Sequence, residues 1–88
     1  MIIRSQNKKR IANLKNITEI VCNQGFEILV YFASDIGYSE IFGEYSTEEK
    51  AIKVLDMIQS AYEDASFASS WSGFVASTSF QMPQDSEV

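Results

Sequence analysis

A single cysteine and the absence of histidine leave this 88-residue chain without a staple. Cys22 has no second thiol for an internal disulfide, and a structural zinc site needs more thiol and imidazole ligands than the sequence holds. A chain of this length buries only about 60–65% of its unfolded surface. Stability must therefore come from one packed core, drawn from the 45% of residues that are hydrophobic, and association with further copies would add to it. The expectation is one domain over residues 1–83, followed by QDSEV at 84–88 as an acidic tail.

The periodicity of the apolar residues divides that core between strands and a helix. Ile2-Ile3-Arg4 reads as a short opening or edge strand, and Ser5 to Arg10 as a polar turn. ITEIVC at 17–22 alternates as a strand, Asn23-Gln24-Gly25 signals a hairpin, and FEILVYF at 26–32 forms the next strand. In the latter, Phe26, Ile28, Val30 and Phe32 share one face and Glu27, Leu29 and Tyr31 the other. Leu29 and Tyr31 make that second face half apolar, which asks for a cover such as a second subunit. YSEIFGEY at 38–45 is a further strand in which Gly43 marks a bulge or a close backbone approach.

Ser46 with Glu49 forms a capping-box pattern. Ala51, Val54, Leu55, Ile58 and Tyr62 then recur at helical spacing, giving one helix over about 46–64 with fraying expected around Asp64–Ser69. Phe74 to Phe80 reads as a closing strand before Met82-Pro83. The expected fold is α+β: an antiparallel sheet of about four to five strands, one packed helix and a C-terminal closing strand.

Charge is divided between the ends. Arg4, Lys8, Lys9, Arg10 and Lys15 meet no acid through residue 16, whereas the remainder sets Lys50 and Lys53 against all twelve acids. Such an acidic body would repel duplex DNA. The sequence shows neither the apolar run of a signal peptide nor a stretch of roughly 20 apolar residues, so a cytoplasmic location without a membrane is expected. No histidine is present to activate a serine or cysteine, and no phosphate loop or metal-binding carboxylate set is recognisable. No catalysis, metal or cofactor is expected, and mid-strand Cys22 reads as a small core residue.

The uncharged stretch FASSWSGFVASTSFQMP at 67–83 offers aromatic faces and hydroxyls suited to a nucleotide. Phe67, Trp71, Ser72, Gly73 and Phe74 are the candidate ligand residues, with Arg4 and Arg10 as candidate phosphate cations. Phe74 and Phe80, six residues apart and so on one strand face, are read first as completing the core. Core, subunit interface and ligand contact are open for Trp71. A different class is a protein-binding inhibitor of a host nucleic-acid-handling enzyme, anti-CRISPR-like, with Glu40, Glu44, Glu48, Glu49, Asp56, Glu63 and Asp64 mimicking phosphate charge.

IIRSQ at 2–6, GEYSTEEKAIKVLDMIQ at 43–59 and FQMP at 80–83 resemble small proteins from bacteriophages and prophages of Firmicutes. The resemblance extends to the first type of Thoeris anti-defence family, included in that group, sponges that sequester cyclic ADP-ribose signals and, in some members, cyclic oligonucleotides. The match covers about a third of the chain. The resemblance implies a homo-oligomer with pockets between subunits, no catalysis, and ligand contacts from the segment after the helix. A pocket of that kind needs arginine near its phosphates, and no arginine follows Arg10 here. Arg4 and Arg10 of a neighbouring chain would have to supply it, or the activity is absent.

Overall fold

The computed structural model describes the backbone of residues 1–72 and 79–88, and the side chains of residues 1–65 and 79–88. Its elements are β1 (Ile2–Arg4), β2 (Ile11–Asn13), β3 (Ile17–Cys22), β4 (Glu27–Phe32), β5 (Ser39–Glu44), α1 (Glu48–Ser72) and β6 (Ser79–Gln81). The α+β class is as expected. The strands form two three-stranded sheets, ordered β2-β1-β6 and β3-β4-β5, in place of one sheet of four to five.

β1 is the centre of the first sheet, not an edge. It runs antiparallel to β2 and parallel to β6, with Ile3 opposite Ala12 on one side and Phe80 on the other. All three are buried, so this cross-strand row is the sheet's contribution to the core. The expected turn at Ser5–Arg10 joins β1 to β2 around buried Ser5, whose hydroxyl donates to Asn7 Oδ1 at 2.8 Å and accepts from the Arg10 N–H at 3.1 Å. Lys8 adopts the left-handed region there, with φ 67°.

In the second sheet Asn23 organises the β3–β4 turn. Its Oδ1 accepts from the N–H groups of Gly25 and Glu27, each at 2.9 Å, which is the local bonding that favours Asn in turns. Ile28 and Val30 of β4 are fully buried, as the alternation requires. Both expectations for Gly43 are met. The β4–β5 register slips between Ile28 and Leu29, leaving Phe42 as the extra residue, and a Cβ on Gly43 would lie 2.8 Å from Tyr45 Cε2.

The helix differs from expectation at both ends. Thr47, not Ser46, caps its start, accepting from the Lys50 N–H at 3.1 Å. The Ser46 N–H instead donates to Asp85 Oδ1 at 2.8 Å. At the far end α1 continues through Ser72, eight residues past the expected limit of 64. Ala61, Ala65 and Ala68 favour helix, and no glycine or proline interrupts before Gly73. Ala51, Val54 and Ile58 are buried and Ala61 packs behind them, whereas Tyr62 is 50% exposed and leaves the stripe.

β6 covers the end of the expected closing strand, and the segment 74–78 assigned to that strand lies outside the described residues. Residues 84–88 turn back on the body. Asp85–Glu87 form one turn of 3-10 helix and Val88 packs against the core. That core joins Ile3 and Phe80 of the first sheet, Ile28, Val30 and Phe42 of the second, and the buried stripe of α1.

Candidate functional site

The residues expected to hold a ligand are placed as follows. The Arg4 guanidinium donates twice to the Lys8 carbonyl, at 3.1 and 3.2 Å, and so closes the β1–β2 turn. Arg10 Nη1 lies 2.8 Å from Glu40 Oε1, and the Tyr38 hydroxyl donates to the same oxygen. That bond to Glu40 raises the Tyr38 pKa above its ordinary value. Both arginines therefore serve intramolecular contacts. Phe67, Trp71 and Ser72 belong to the last turns of α1 and not to a loop, while Gly73 and Phe74 lie outside the described residues. The side chains of Phe67, Trp71 and Ser72 also lie outside them.

A different feature stands out among the described residues. A groove of about 570 Å³ separates α1 from β3, within the roughly 300–1,000 Å³ range of ligand clefts. Ile20 and Cys22 of β3 form one wall with Phe26 from the turn, and Ile52 and Leu55 of α1 form the other. Positions 48, 52 and 55 follow one another along a single helix face, which brings Glu48 to the same wall. Its carboxylate is the one charge among the lining residues.

The Cys22 thiol reports this environment. Burial pushes its pKa up, and the negative charge of Glu48 pushes it further. The thiol donates to the Asn23 carbonyl at 3.4 Å, so it is a half-buried wall residue, close to the expected core role.

β3 also borders the groove with backbone. Among the described residues it has one partner strand, β4. The Asn23 N–H donates to the Glu27 carbonyl at 3.0 Å, which makes Asn23 and Glu27 a hydrogen-bonded pair. Alternation along an antiparallel ladder then directs the backbone groups of Val21 and Glu19 toward β4, and those of Ile20 and Cys22 away from it. None of the turn, loop or cap bonds among the described residues involves the N–H or C=O groups of Ile20 and Cys22, which the alternation turns away from β4.

The opposite edge of this sheet is closed. The Gln6 N–H donates to the Phe42 carbonyl at 2.8 Å, and the Gln6 side chain bonds both backbone groups of Glu44. One edge is thus covered and the other stands beside an apolar groove. The arrangement has the parts that hold an extended chain: unpaired donors and acceptors, an apolar wall and one carboxylate.

The sequence pointed to some of these parts. Glu48 was among the acids expected to contact a protein partner, and Ile52 is conspicuous as an apolar residue off the helical stripe, now 45% exposed. Nothing in β3 marked it as an edge, because pairing partners are a property of topology. Among the described residues no group of three or more acidic or thiol side chains could hold a metal ion, and no helix is long and apolar enough to cross a membrane. Comparison with protein-family models, with curated proteins and with solved structures returned no match.

Proposed function

We propose that this chain is a non-catalytic protein-binding domain that holds a positively charged segment of another protein in the groove between α1 and β3. The observation that carries the reading is the combination of apolar walls from Ile52, Leu55 and Ile20 with a single carboxylate, Glu48, at their border. An apolar trough supplies affinity, and an unopposed carboxylate supplies selectivity for a cation. Proteins that handle nucleic acids are rich in basic segments, so an inhibitor of such an enzyme is a natural setting for this activity.

Selection from a random library of short peptides displayed on beads tests it. Binders should be enriched in lysine and arginine next to aliphatic residues, and Glu48→Lys should remove that enrichment. Selection of acidic peptides, or of none, would overturn the reading.

The second reading, sequestration of a nucleotide immune signal by a homo-oligomer, draws support from α1 itself. The helix carries Phe67 and Trp71 four residues apart, one turn from each other. Its weaker half is the anion site, since Arg4 and Arg10 bond Lys8 and Glu40 within the chain. Protein binding is preferred on that ground.

A further inference from the structure

Three features of the surface lie outside the contacts that build the fold. One is the small cleft beside Gln6 and Asn7, bordered by β5, whose backbone Gln6 already occupies. Another is the outer face of the second sheet, where Val21, Leu29 and Ile41 stand in one cross-strand row. Ile41 is 48% exposed and Glu19 and Glu27 share that face, but neither carboxylate borders a cleft that would select an occupant. The third is the open edge of β3, and it carries an inference because its backbone geometry and its charge both constrain what binds.

We propose that the groove takes its basic segment as an added β-strand, hydrogen-bonded to the outward backbone groups of Ile20 and Cys22, with a lysine or arginine paired to Glu48. This rests on the protein-binding reading above and adds the mode of binding. An extended chain alongside β3 would present alternate residues to opposite sides, so every second side chain would meet Ile52 and Leu55. The remaining side chains would point out of the groove. Its backbone would satisfy the N–H and C=O groups that β4 leaves untouched.

Two facts favour an extended basic chain over a helix in the same place. A helix bonds its own backbone internally and would leave the groups of Ile20 and Cys22 as they are. The groove lining holds the Glu48 carboxylate and no cation, so an acidic chain would bring like charges together. The expected segment therefore carries, on the one side that meets α1, aliphatic residues against Ile52 and Leu55 and a basic residue against Glu48, with polar residues at the alternate positions.

The probe is a capped lysine–valine hexapeptide with one lysine and two valines at the alternate positions that face α1 and threonine at the other three, and the control has glutamate in place of the lysine. Calorimetry should show binding of the first and none of the second, with Glu48→Gln weakening it several-fold and Ile52→Gln weakening it further. Amide hydrogen exchange of the complex should slow at Ile20 and Cys22 by roughly tenfold or more, each gaining a bond, and change little at Val21, whose groups already face β4. Backbone N-methylation of the peptide adds a test that leaves the protein fold alone. Methylating one alternate set of residues should abolish binding, and methylating the other should have little effect. If the peptide binds but both methylated sets behave alike and the Ile20 and Cys22 amides stay unprotected, strand addition is wrong while groove binding stands. If the lysine–valine peptide fails to bind at all, both proposals fall.

Discussion

The side-chain amide of Gln6 pairs with both backbone groups of Glu44: Oε1 accepts from its N–H at 2.9 Å, and Nε2 donates to its carbonyl at 3.0 Å. One side chain thereby imitates a strand residue and covers the outer edge of β5, the device by which the second sheet is prevented from pairing on that side. The same Nε2 lies 3.2 Å from the Pro83 carbonyl, which draws the chain after β6 to the same point. Gln6→Ala should lower stability by about 1–3 kcal/mol, three neutral hydrogen bonds at a partly solvated site. Gln6→Glu keeps the acceptor for the Glu44 N–H and loses the donor, so it should fall in between or lower. Urea denaturation checks both, with a shift in midpoint at constant slope.

Gly43 is held by contact, not by backbone conformation. A Cβ there would lie 2.8 Å from Tyr45 Cε2, 3.0 Å from its hydroxyl and 3.1 Å from Met82 Cε. Met82 can move its methyl, but the Tyr45 ring is buried and its hydroxyl is tied to the Pro83 carbonyl at 2.8 Å. Gly43→Ala should therefore destabilise by about 1–3 kcal/mol, the usual range for overpacking a core. The melting temperature measured by circular dichroism is a sufficient readout, and an unchanged value would show that the ring has room to shift.

Tyr45 links stability to alkaline pH. Burial first, and then the charges of Asp85 and Glu87, push its pKa up to about 12, from about 10 in an unfolded chain. A raised folded pKa means that the neutral phenol is favoured in the fold. The contribution is therefore complete below pH about 10 and is lost as pH climbs toward 12. Tyr45→Phe should cost about 1 kcal/mol at neutral pH, because Pro83 keeps Gln6 Nε2 as a donor and its carbonyl is not orphaned. The difference between wild type and variant should shrink across that alkaline window. Urea midpoints for the two proteins at successive pH values measure it.

How far the sequence disclosed this structure depends on the range of the interactions involved. β3 and β4 were legible because six residues are enough to show alternation, and the Asn23 turn between them is bonded locally. Gly43 was legible because a glycine inside a strand has few other reasons to be there. β2, at three residues, shows no period, and the central place of β1 depends on β6, 77 positions away. The cap shifted from Ser46 to Thr47 because Asp85, distant in sequence, takes the Ser46 N–H. The groove is not legible in the sequence for the same reason: Ile52, Glu48 and the edge of β3 become neighbours only when α1 packs beside the sheet.

The nucleotide and protein readings part company in one experiment. Titration with cyclic ADP-ribose isomers and cyclic di- and trinucleotides should give no heat if the groove is the working site, at protein concentrations well above micromolar. Trp71→Ala should then leave binding of the lysine–valine peptide unchanged, since residue 71 lies 16 positions beyond Leu55, the last helical residue of the groove. A base stacked on Trp71 would behave differently, with the substitution weakening nucleotide binding by about 1–3 kcal/mol. Charge would separate the two as well. Arg10→Ala should reduce affinity for a phosphate-bearing ligand and leave binding of a cationic peptide unchanged, since Arg10 pairs with Glu40 of β5, two strands away from β3. Nucleotide heat sensitive to both Trp71 and Arg10 would move the function from the β3 edge to the end of α1.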